Sequence, residues 1–148
     1  MRYLTVALAV TLSVGLAAAA SPNKVFTFPY DRLELPNGFR AYLVEARGSG
    51  QIAYVTVVRT GSREEWEPGR TGYAHFFEHM MFRGTKKYPD YSGELTKIGA
   101  DHNAFTSSDM TVYYEVASAE SLEKIMDLES DRFQNLDYTE QDFRTEAG

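Results

Sequence analysis

The spacing of apolar and polar residues changes period along this chain, and each change predicts an element. Residues 25–28 begin an extended run. Arg32-Leu33-Glu34-Leu35 then alternates, Pro36-Asn37-Gly38 marks a turn, and residues 39–44 resume the strand pattern. Asn-Gly is the strongest short hairpin signal, because a tight hairpin turn needs positive φ at its centre. Gly48-Ser49-Gly50 makes the next break. Residues 52–58 are so rich in β-branched side chains that they predict a buried strand. A polar loop with Gly61, Pro68 and Gly69 covers residues 60–70.

From residue 73 the pattern lengthens. Residues 73–82 are helix-compatible and strongly apolar, and Gly84 suits the end of that helix. A second short helix is predicted over residues 91–98, closed by Gly99. Residues 103–106 and 111–116 predict a hairpin around Ser107-Ser108-Asp109. Ser118 is placed to cap a helix over residues 119–134, with Leu122, Ile125, Met126 and Phe133 on its apolar side. Thr139 and Asp142 open a last helix, which the sequence leaves without a stop signal. The expected class is therefore α+β, with a mainly antiparallel sheet packed with helices. The abrupt end suggests a truncated chain, the N-terminal part of a larger domain.

The first twenty residues follow a different logic. A short basic start, an uncharged apolar run over residues 4–16 and the small residues Ala18-Ala19-Ala20 match a secretory signal peptide. The run is short for a membrane span of about 20 residues. The expectation is export to the periplasm or the exterior, cleavage before Ser21, and no stable membrane anchor afterwards. The domain proper would be residues 21–148, itself incomplete.

Composition narrows the class further. Of 148 residues none is Cys, which removes disulfides and thiolate metal sites. The net charge is −6, and loss of Arg2 with the leader takes it to −7. There is no basic cluster, so nucleic acid is a poor partner. Ten Tyr and nine Phe suit a packed domain.

The chemistry concentrates in His75-Phe76-Phe77-Glu78-His79. On a helix, residues four apart share a face. His75 and His79 can thus aim two ring nitrogens at one Zn²⁺, about 2 Å away. Glu78, at the edge of that face, can act as general base toward a water activated by the metal. Apolar residues at 76, 77 and 80–82 suggest a helix buried nearly all round. Two histidines and a glutamate there would be costly without a metal partner.

The stretches Gly61-Ser62-Arg63-Glu64-Glu65 and Gly72 to Thr85, around this H-x-x-E-H motif, closely resemble the pitrilysin/insulinase family of zinc peptidases. Residues 99–106, 129–133 and 143–146 resemble it as well. The resemblance implies that His75 and His79 are zinc ligands and that Glu78 is the catalytic base. It implies that Asn103 and Ala104 hold an extended peptide or unfolded polypeptide, and that Glu146 supports the metal site from outside the ligand shell. It also implies a third ligand, a glutamate two turns past Glu146 and so beyond residue 148. His102 is a poor substitute, because its neighbour Asn103 aligns it with the substrate strand. The resemblance further implies a second half of the chain or a partner subunit that encloses the substrate. As it stands the chain is expected to hydrolyse little. The alternative is a non-catalytic peptide-binding or partner subunit of a two-component peptidase.

Overall fold

The computed structural model describes residues 27–147, so the leader-like segment and residues 25–26 lie outside the described residues. Thr27 and Phe28 are not in a strand. The chain divides into two units, one ending at Glu45 and one beginning at Ala46.

The first unit holds a hairpin. Strand β1 (Asp31–Glu34) pairs antiparallel with β2 (Arg40–Leu43). The predicted turn closes it. Gly38 has φ 86°, which glycine adopts without a Cβ clash. The Asn37 side chain accepts the Phe39 N–H at 3.1 Å.

The second unit is a three-stranded antiparallel sheet with helices. In chain order it contains β3 (Gln51–Val58), α1 (Tyr73–Met80), α2 (Tyr91–Lys97), β4 (Asp101–Thr106), β5 (Thr111–Ser118), α3 (Leu122–Asn135) and α4 (Glu140–Ala147). The strand order is β3-β5-β4, so the latest strand is central and β4 lies at an edge. Strand β3 is the other edge. It is not the buried strand its composition suggests: Val55 and Val57 are about half exposed, because only alternate residues face the helices.

The core lies between the sheet and α2 and α3. Tyr91, Leu95, Ala117, Ile125 and Leu128 form its buried cluster, with Phe82, Tyr88 and Ile98 packed against it. Leu95, Ile125 and Leu128 are wholly excluded from solvent. Each such side chain contributes about 1.5–3 kcal/mol through removal of apolar surface from water.

Helix α3 departs from its sequence reading in two ways. Ser118 ends β5, and residues 119–121 form a single 3-10 turn, so α3 proper starts at Leu122. Its buried face is Ile125, Leu128, Glu129 and Arg132, whereas Leu122, Met126 and Phe133 are exposed. The spacing of the buried set is helical, but two of its members are charged. They are tolerated because they meet each other: Arg132 Nη2 lies 2.7 Å from Glu129 Oε1 and 3.3 Å from Glu115 Oε1. Tyr91 O–H donates to Glu129 and its oxygen lies 3.2 Å from Glu115 Oε1, and Thr56 O–H donates to Glu129 at 3.1 Å. The guanidinium stacks 4.4 Å from the Tyr91 ring centre and 4.6 Å from that of Tyr113.

Candidate metal centre and active site

Helix α1 is fixed at its start by a residue from the preceding loop. Glu65 accepts the Gly72 N–H and the Ala74 N–H, each at 2.6 Å. These donors have no partner within the helix, and a carboxylate also complements the positive N-terminal end of its dipole. The same backbone hydrogen bonds, Ala74 first, hold the Glu65 carboxyl below its usual range. At the far end Gly84 takes φ 92°, and an added Cβ would meet the Tyr88 carbonyl oxygen at 2.4 Å. The helix itself stops at Met80, a little before the predicted end.

One face of α1 carries the chemistry. His75 and His79 present their Nε2 atoms 3.1 Å apart, with ring planes at 87°. Two nitrogens on a tetrahedral zinc, each at about 2.0–2.1 Å, stand roughly 3.3–3.4 Å apart. The pair is therefore spaced as a metal chelate requires. Among the described residues no three His, Asp or Glu side chains converge as a metal site, so this pair of imidazoles stands without a third candidate beside it. His102 is not with them. It sits on β4 opposite Glu115, with Nδ1 3.5 Å from the Ala100 carbonyl oxygen.

The expectation of a helix buried all round is corrected. Glu78 and Met80 are buried, but His75, Phe77 and His79 are exposed. The sheet and α4 cover only part of α1, so the imidazoles face an open cleft. The case for a metal rests on their convergence and not on the cost of burying them.

Two contacts set the groups around this pair. Glu146, on α4, accepts from His79 Nδ1 at 2.6 Å and is also paired with Arg83. These two partners, His79 first, hold the Glu146 carboxyl below its usual range. Helix α4 is seated against α1 by the Phe76–Phe143 ring contact, 4.8 Å between centroids. On the other side, Thr106 O–H on β4 donates to Glu78 Oε2 at 2.6 Å. Ser62, His75, Glu78, Ala104, Phe105, Thr106 and Ser107 line one cleft, which runs between α1 and the β4 edge.

Asn103 and Ala104 lie on that strand, as the alternation predicts, and its place at the edge is the one the family resemblance implies. The Ala104 N–H is taken by the Asn103 side-chain oxygen at 2.8 Å, so it does not serve the ladder to β5. The sequence reading gave no role to Glu65, Arg83 or Thr106. All three stand in the stretches that resemble the peptidase family; Glu65 acts on the helix start seven to nine residues on, whereas Arg83 and Thr106 join segments 63 and 28 residues apart. Alternation puts Thr106 on the same strand face as Ala104, a signal that could have found it.

The model of the family described as insulinase, peptidase family M16, matches residues 43–148. The chain belongs to this insulinase family. It is 36% identical over 133 residues to the mitochondrial-processing peptidase subunit beta of Caenorhabditis elegans, covering 88% of this chain and 29% of that protein. It is 33% identical over 115 residues to an uncharacterized zinc protease of Rickettsia bellii, covering 76% of this chain and 28% of that one. A crystal structure of a protease from Helicobacter pylori superposes with a TM-score of 0.77 at 28% identity, over 82% of this chain and 30% of that chain. The chain thus spans less than a third of each of these relatives. The fold is that of an N-terminal insulinase-family segment, and Zn²⁺ is the metal of this family.

Proposed function

We propose that this chain carries the catalytic helix of a zinc-dependent endopeptidase. The observation that carries the reading is the convergence of His75 and His79 beside Glu78, on a cleft bordered by β4, an edge strand among the described residues. When bound, zinc would polarise the scissile carbonyl and lower the pKa of water toward about 7. His75 and His79 hold it through Nε2, and Glu146 keeps the His79 ring in the tautomer whose Nε2 lone pair is free. Glu78 accepts the proton of the attacking water and returns it to the leaving amine.

Peptides or unfolded polypeptides are the substrates this site suits. An extended segment can add to the β4 edge, where main-chain bonds give affinity with little sequence preference. The Asn103 side chain holds the Ala104 N–H until a substrate carbonyl replaces it. Two imidazoles are one short of the usual three protein ligands of a catalytic zinc. A glutamate two turns past Glu146 would share its helix face and complete the set, and residues 1–148 alone would hydrolyse little. Similarity to a protein named as a subunit supports a partner subunit, or a second half, that closes over the cleft. The leader-like residues 1–20 support export to the periplasm or the exterior.

The test uses the complete, zinc-loaded gene product on an unstructured peptide. Hydrolysis should stop on chelation. Glu78→Gln should retain zinc and lose about 100-fold or more in rate, as removal of a general base does. Full activity in Glu78→Gln overturns the reading.

A further inference from the structure

Among the described residues the hydrogen-bond partner of the Glu78 carboxylate is the Thr106 hydroxyl, 28 residues away on β4. That hydroxyl sits in a directed chain. Thr111 O–H donates to the Thr60 carbonyl at 3.0 Å, and Thr111 Oγ1 lies 3.2 Å from Thr106 Oγ1. A hydroxyl has one proton to give. The Thr111 proton is committed to Thr60, so the Thr106 proton is left for Glu78.

The backbone of Thr106 faces the other way. Paired residues in an antiparallel ladder alternate between hydrogen-bonded and non-hydrogen-bonded pairs. Ser107 N–H donates to the Met110 carbonyl at 2.8 Å, and Thr106 is opposite Thr111. Thr106 therefore stands in a non-hydrogen-bonded pair, with its main-chain groups turned to the free edge of β4. Ala104, two residues back, does the same, which its N–H bond to Asn103 bears out. The turn that follows is pinned: Ser62 N–H reaches the Ser107 carbonyl at 3.0 Å and Arg63 N–H the Ser108 carbonyl at 2.8 Å. Gly61 permits this approach, since a Cβ there would meet Ser107 O at 2.3 Å.

We propose that Thr106 is a positioning residue for Glu78, which it aims into the cleft from the strand on which the peptide docks. One residue then sets both the edge that aligns the scissile bond and the carboxylate that serves it. The geometry makes the catalytic effect of the Thr106 hydroxyl pass through Glu78 alone. This assignment rests on the peptidase reading above.

The experiment compares Thr106→Val, which keeps the shape without the hydroxyl, with Thr106→Ser, which keeps the hydroxyl, in the complete zinc-loaded gene product. Thr106→Val should lower kcat by about 10–100-fold, the usual cost of removing an outer partner, with KM and zinc content unchanged. Thr106→Ser should restore most of the rate. In a Glu78→Gln background Thr106→Val should cost nothing more, because the group it positions is gone. A Ser variant as impaired as the Val variant, or an equal loss in the Glu78→Gln background, overturns the assignment. The crystal structure of zinc-loaded Thr106→Val gives a readout free of activity. Glu78 should leave its place beside β4 while His75 and His79 keep theirs, and a Glu78 that stays put overturns the assignment. If the parent protein shows no zinc-dependent hydrolysis, the peptidase reading falls by itself, and this structure still decides whether Thr106 holds Glu78.

Discussion

Glu146 accepts a hydrogen bond from His79 Nδ1 at 2.6 Å, across 67 residues of sequence. A carboxylate can only accept, so Nδ1 carries the proton, and in the neutral ring that is the tautomer whose Nε2 lone pair is left for a metal. Arg83 holds the same carboxylate from α1's own end. Glu146→Ala is expected to weaken zinc binding by about 10–100-fold, as loss of such supporting partners does. Competition with a chromophoric chelator measures it on the complete protein. Unchanged affinity would show that the contact does not orient the ring.

Glu65 bridges two N–H groups at the start of α1, and these bonds depress its carboxyl pKa. A depressed folded-state pKa contributes stability that is present above the unfolded value and lost as pH falls through the folded one. Glu65→Ala should therefore melt below the wild type at pH 7. The gap should narrow below pH 4.5, the ordinary value of this group. Thermal melts at pH 7 and pH 3 test the sign, and a gap independent of pH contradicts it.

Arg132 is wholly buried between two carboxylates and two tyrosine rings. Arg132→Met leaves the buried Glu129 carboxylate, beside Glu115, without its cation. Breaking a buried pair in this way costs about 3–5 kcal/mol. Denaturant unfolding should show the loss, and near-wild-type stability would mean that the carboxylates re-pair or hydrate.

Glu115 responds to pH in the opposite direction from Glu65. Burial first, then the neighbouring Glu129 charge, pushes its carboxyl up to about 8 from an ordinary 4.5. Between these values the folded protein holds a proton that the unfolded chain releases. Its contribution is thus full below 4.5 and is lost as pH rises through about 8. Glu115→Gln, neutral at every pH, should gain stability relative to the wild type as pH rises from 5 to 9. Paired melts at those two values decide it, and a constant difference would place the proton elsewhere.

Much of this was legible in the residues themselves. The periods of two and of 3.6 located the hairpin, the three strands of the sheet and all four helices, because side-chain direction is a local property of the backbone. The H-x-x-E-H spacing put His75, Glu78 and His79 on one helix for the same reason, and their neighbours carried the family resemblance. Tertiary structure decided what joins those segments. The strand order β3-β5-β4 made β4 an edge and brought Thr106 to Glu78. The Phe76–Phe143 contact brought Glu146 to His79. Packing also chose the buried face of α3 that charge pairing allowed, over the one its apolar residues suggested, and left the two histidines open to the cleft. Period and spacing act over a few residues, whereas which faces meet depends on how the whole chain packs, and that is why only the fold could show it.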